Sequence, residues 1–119
     1  MKRDMDLVRK ILFKIEELPQ YSNQWADVPI DGYSKDEIDY HLVILMDAGL
    51  IDASRVSNIR DVIWKAVRLT WEGHEFLDAA RDNGRWEKAK TTMNQVGGFA
   101  LDVMKQLLVQ YLKTELKLP

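Results

Sequence analysis

The chain offers few groups for chemistry: two histidines, no cysteine and a cluster of carboxylates around residue 40. His74 sits in the run Trp71-Glu72-Gly73-His74-Glu75 and lacks the second histidine, four residues on, that a zinc-binding helix needs. His41 projects near an apolar stripe, where a histidine is more often a hydrogen-bonded core group than a ligand. Without cysteine there is no thiol nucleophile, disulfide or thiolate metal ligand. No nucleophile–base–orienter set is legible, and Gly97-Gly98 reads as an interruption, not a phosphate loop. Pairs such as Asp36 and Asp39 read as solvated carboxylates. The expectation is a protein with no catalytic activity, metal or cofactor.

The carboxylates can instead select a partner by charge. Within residues 34–51, SKDEIDYHLVILMDAGLI, a helix is expected to about Ala48, with Ile38, His41, Leu42, Leu45 and Ala48 sharing the inward face. Asp36, Asp39, Tyr40, Val43 and Asp47 project the other way. A helix that reads DNA presents Arg, Lys, Asn or Gln to base edges and gains affinity by neutralising phosphates. Here each outward carboxylate is repelled by the duplex. Two like charges ~8 Å apart cost about 2 kcal/mol at an effective dielectric near 20, before screening. The same face suits a basic protein partner, with Tyr40 and Val43 as anchors and the carboxylates steering the encounter. It reads equally well as a solvated acidic face with two incidental apolar residues.

One stretch is locally basic. Residues 50–70 carry Arg55, Arg60, Lys65 and Arg68 against Asp52 and Asp61. With unbroken strand alternation Trp64 shares a face with Arg68, and such a wing can enter a minor groove. The competing reading is Arg stacked on Trp as ordinary surface packing.

The elements that must position these residues follow from periodicity and punctuation. Met5, Leu7, Val8, Ile11, Leu12, Ile15 and Leu18 predict a helix over residues 4–18, started by Asp4 and stopped by Pro19, with Phe13 off the apolar stripe. Residues 20–33 read as loop, with a short edge strand at 25–30 and a turn at Asp31-Gly32. Ser34 and Glu37 match a capping box, and Gly49 supplies a C-cap. Strands at 50–57 and 62–69 form a hairpin around residues 58–61. Thr70 caps a helix over 71–82, and Gly73 lets that helix approach the sheet closely. A short helix at 86–95 and a final one at 99–116 follow, the last with Leu101, Met104, Leu107, Leu108, Tyr111 and Leu112 on one stripe. That stripe is expected either to fold back onto the first helix, where Phe13 and Val109 meet, or to join two copies in a homodimer. Trp71 and Trp86, at helix starts, read as core or staple residues, and Trp25 as a cover for the sheet edge.

Whole-chain properties bound the rest. A length of 119 residues fits one modest core, and 46% apolar residues is ordinary for a globular chain. The net charge of −2 gives no global pull toward nucleic acid or anionic lipid. The N-terminal MKRDMDLVRK is too charged for a signal peptide, and no run approaches the ~20 apolar residues of a membrane span. A cytoplasmic protein is expected.

A helix ending in Leu42, Leu45 and Ala48-Gly49-Leu50-Ile51, then a hairpin, then Arg68-Leu69-Thr70-Trp71-Glu72-Gly73 at a new helix, has the order of a winged helix. It resembles bacterial winged-helix regulators of the multiple-antibiotic-resistance and arsenic-repressor types. More closely, MKRDMDLVRKIL, GYSKDEIDYHL, DAGLI and RLTWEGHEFLDAARD together resemble a family of uncharacterised small bacteriophage and prophage proteins, over roughly residues 1–90. The resemblance implies an α+β fold: a winged-helix domain at 1–83 and a C-terminal helical extension at 84–119. It carries over no biochemistry. A separate positioning helix before the recognition helix, usual in that fold, is not legible in residues 20–33. The functional expectation is a non-catalytic binding module of phage type, acting as a protein-interaction or regulatory adaptor. The alternative is a transcriptional regulator that binds double-stranded DNA through the basic wing as a dimer.

Overall fold

The structure, a computed structural model, describes residues 1–18, 28–57, 62–95, 97 and 100–118. At 54–57 and 62–67 it describes the backbone alone. The fold is α+β. Among the described residues the order is α1 (Met5–Glu16), α2 (Lys35–Asp47), β1 (Ile51–Ser57), β2 (Val62–Leu69), α3 (Trp71–Ala80), α4 (Asn83–Gln95) and α5 (Leu101–Glu115). The helix–helix–hairpin–helix order is compatible with a winged helix. Two compact units divide the chain, Met1–His74 and Glu75–Pro119.

In the first unit, α1 starts where Asp4 caps it, its carboxylate accepting from the Leu7 amide at 3.1 Å. Met5, Leu7, Val8, Ile11, Leu12 and Ile15 are buried, the 3.6-residue period of an amphipathic helix. The helix stops at Glu16, two residues before the expected end. The Leu18 amide takes the Ile15 carbonyl, a tighter final turn that closes the helix early. Residues 28–30 form no strand, so the expected edge strand is absent from its described part. The Ile30 carbonyl instead accepts the Tyr33 amide across the Asp31-Gly32 turn, with Gly32 at φ +87°.

The capping box at the start of α2 is complete: Ser34 Oγ accepts from the Glu37 amide, and Glu37 accepts from the Ser34 amide, both at 3.1 Å. The helix ends in a Schellman motif. The Leu50 amide reaches the Leu45 carbonyl, the Gly49 amide reaches Met46, and Gly49 sits at φ +77°. Ala48, expected on the inward face, is exposed: it is the C-cap, still bonded to the Ile44 carbonyl, and the chain turns toward β1 at the next residue, Gly49.

β1 and β2 pair antiparallel, with Ile51 opposite Leu69 and Arg55 opposite Trp64. Val67 is an extra residue between Ala66, opposite Ala53, and Arg68, opposite Asp52. The unbroken alternation assumed for Trp64 and Arg68 therefore does not hold. α1 and α2 pack on each other, and both pack on β2. Thr70 ties the end of the hairpin to α2: its amide donates to the Leu50 carbonyl and its hydroxyl to the Gly49 carbonyl at 2.6 Å. That hydroxyl also accepts the Gly73 amide, capping α3. A Cβ on Gly73 would lie 2.0 Å from the Leu50 carbonyl oxygen, so glycine is required for this close approach.

In the second unit, α4 begins three residues earlier than expected. Asp82 caps it, accepting from the Arg85 amide at 2.8 Å. Trp86 is buried and meets Phe76 edge-on. α5 packs on α4 with Met104 and Leu108 buried. Tyr111 receives the Lys88 ammonium over its ring and exchanges a hydrogen bond with Thr92. Arg85, largely buried, pairs with Glu115 at 2.6 Å and donates to the Ala79 carbonyl, joining the end of α3 to the end of α5.

Candidate interaction site

Helix α2 is held by its inward face. Ile38, His41, Leu42 and Leu45 are buried. His41, 1% exposed, has both ring nitrogens occupied. The Asp4 backbone amide can only donate, so Nε2 accepts it at 2.9 Å. Nδ1 therefore carries the proton and donates to the Glu37 carbonyl at 2.7 Å. The histidine locks the start of α1 to the first turns of α2 and is a core group. Asp4 is the second hub, accepting the Tyr33 hydroxyl at 3.2 Å. Burial pushes the Tyr33 phenol above its ordinary value, and the Asp4 carboxylate adds to the shift.

With that face fixed, Asp36, Tyr40, Val43 and Asp47 fall on one outward stripe, at steps of four, three and four residues. Asp36, Tyr40 and Asp47 are exposed, Tyr40 at 37%, and Val43 is half-buried. The Tyr40 ring stands edge-on to His41, with ring centres 5.8 Å apart. Asp39 departs from the expected set. Its side chain is only 17% exposed and pairs with Lys35 at 3.2 Å. That pair engages the one Lys or Arg in α2.

The hairpin residues are placed less fully. Arg60 lies outside the described residues, as do Trp25, Pro19 and the turn at 58–61. Arg55, Trp64 and Lys65 are placed by backbone register alone. Arg68 is exposed, but its guanidinium contacts Asp52 at 2.7 Å and donates to the Leu69 carbonyl. Among the described residues no group of His, Asp and Glu is arranged to hold a metal, and no helix is long and apolar enough to cross a membrane. A cleft of about 250 Å³ opens between α1 and residues 29–31, walled by Phe13, Lys14 and Ile30. None of the residues singled out for interaction lines it.

One surface feature contradicts the sequence expectation. Trp71 is no staple: it is 76% exposed at the first position of α3. The reason is geometric. Gly73 faces Leu50, and a residue two positions away on a helix lies ~200° around the axis. The pairing of a close-approach glycine with a tryptophan two residues before it was the signal in the sequence.

Residues 2–100 match the family described as hypothetical protein DUF2513. The chain belongs to that family. A relative from Haemophilus influenzae, bearing the name "Uncharacterized protein", is 35% identical over 108 residues, covering 90% of this chain and 92% of its own. No solved structure matches. The matched DUF2513 segment covers the first unit from its second residue on, and with it α2, Trp71 and the hairpin.

Proposed function

We propose that the chain is a non-catalytic winged-helix binding module of phage type that engages a protein partner through the outward face of α2, in the cytoplasm. The observation that carries this reading is the stripe of Asp36, Tyr40, Val43 and Asp47. It presents an aromatic and an apolar anchor between carboxylates, and the helix's one lysine is already paired with Asp39. A duplex laid against this face meets phosphates with carboxylates and finds no cation to release counterions. A basic protein surface meets the same face with attraction at range and contact area at the centre. The adaptor reading therefore stands ahead of a dimeric transcription regulator. That alternative rests on Arg55, Arg60, Trp64, Lys65 and Arg68, and the described Arg68 is engaged with Asp52.

Titration with random-sequence duplex DNA across a salt series separates the two. The adaptor reading expects weak binding at 50 mM salt that is unchanged in Arg55→Glu/Arg68→Glu. Tight binding with a steep logarithmic salt slope, abolished by that double variant, overturns it.

A further inference from the structure

We infer that Trp71 anchors a docking site for a basic, extended segment of another protein, continuous with the outward face of α2. The inference rests on the protein-partner reading above and extends it to a residue on another helix. Trp71 is the most exposed of the large apolar side chains among the described residues, and its indole is not needed to hold α3. Thr70, Gly73 and the Gly49 and Leu50 carbonyls do that through backbone and hydroxyl contacts. The same contacts fix where Trp71 stands. Thr70 Oγ1 touches the Gly49 carbonyl, and exposed Ala48 and Asp47 precede Gly49, so a few residues of extended chain span from Asp47 to Trp71.

The charges at this junction select the occupant. The C-terminus of α2 and the N-terminus of α3 meet here, and their opposite half-charges largely offset. Asp47, exposed at the end of the α2 carboxylate stripe, then sets the sign, and it is negative. The nearest described cation on the hairpin, Arg68, is matched by Asp52. His74 and Glu75, both exposed in the next turn, are the other titratable groups on this part of α3. An arginine or lysine of a partner can lie over the indole face, with the carboxylates alongside. Cation–π attraction and charge then act on one group, and the apolar stem of that side chain covers the ring. An acidic segment or a phosphate backbone gains neither.

The test uses the full-length, ¹⁵N-labelled protein and two synthetic nonapeptides, one alternating Arg and Gly, the other Glu and Gly. The Trp71 indole N–H resonance is assigned by its loss in Trp71→Phe. The Arg peptide is expected to shift the Trp71 indole and the Asp47 amide saturably, and the Glu peptide is expected to shift neither. Trp71→Ala should weaken binding of the Arg peptide roughly tenfold, with an unchanged circular dichroism spectrum because the side chain is exposed. If the Arg peptide shifts the Asp36 and Tyr40 amides and leaves the indole unmoved, the Trp71 site fails while the α2 reading stands. If it shifts neither set, both fail. If the indole moves with protein concentration alone, Trp71 is a contact between copies and the proposal is overturned.

Discussion

Gly73 and His41 show how single residues set this structure. Gly73→Ala places a methyl 2.0 Å from the Leu50 carbonyl oxygen, a backbone atom that can yield only if α3 moves. The ~1 kcal/mol gain in helix propensity is outweighed, and urea denaturation should show a net loss of about 2–3 kcal/mol. An unchanged midpoint would mean α3 sits farther from Leu50. His41→Leu keeps most of the volume but leaves the part-buried Asp4 amide without its acceptor, so it should cost about 1–3 kcal/mol. Tyr33 gives a pH signature. Its phenol is raised by burial and by Asp4, so the folded state holds the proton longer than the unfolded chain does. That contribution is complete below the unfolded phenol's value near 10 and is lost as pH rises through the higher folded value. Thermal melts should therefore fall more steeply above pH 10 for the native chain than for Tyr33→Phe; parallel curves would contradict this. At this scale the sequence was informative wherever a side chain bonds its own neighbourhood: Asp4, Ser34 with Glu37, and Thr70 are all legible as caps. Thr70's hold on Gly49 was not, because the contact spans 21 positions and pattern alone does not register it.

Helices and strands were legible where local chemistry decides them and less so where neighbours do. The α2 boundaries follow from its capping box and Gly49, and Ser34→Ala should cost about 1 kcal/mol by loss of the cap. β2 matches its expected span, yet Val67 adds a residue to it that no turn signal announces, because a bulge answers to the partner strand. α4 starts earlier than its apolar pattern does, since Asp82 caps a first turn that carries no core residue before Trp86. The end of α5 holds a testable strain. Its Schellman motif, with the Leu118 amide on the Lys113 carbonyl, puts Lys117 at φ +57°, where a Cβ is disfavoured. Lys117→Gly should stabilise the protein by about 0.5–1 kcal/mol, read as a rise in denaturation midpoint. A fall would show that the lysine side chain contributes more than the strain costs.

For the molecule as a whole, the proposed function rests on one charge distribution: a carboxylate-rimmed aromatic stripe on α2, with an exposed tryptophan beyond its C-terminal end. The α2 stripe was readable from the wheel because His41 and its apolar neighbours fix the inward side. The exposure of Trp71 and the partial burial of Asp39 were not read, since a helix start and an ion pair both depend on what packs beside them. The most direct measurement is photo-crosslinking in cells from a benzoylphenylalanine placed at position 40, with and without Asp36→Lys/Asp47→Lys. The expected result is a discrete protein adduct that disappears in the charge-reversed background. A nucleic-acid adduct, or a protein adduct indifferent to the charge reversal, would contradict a basic protein partner on this face.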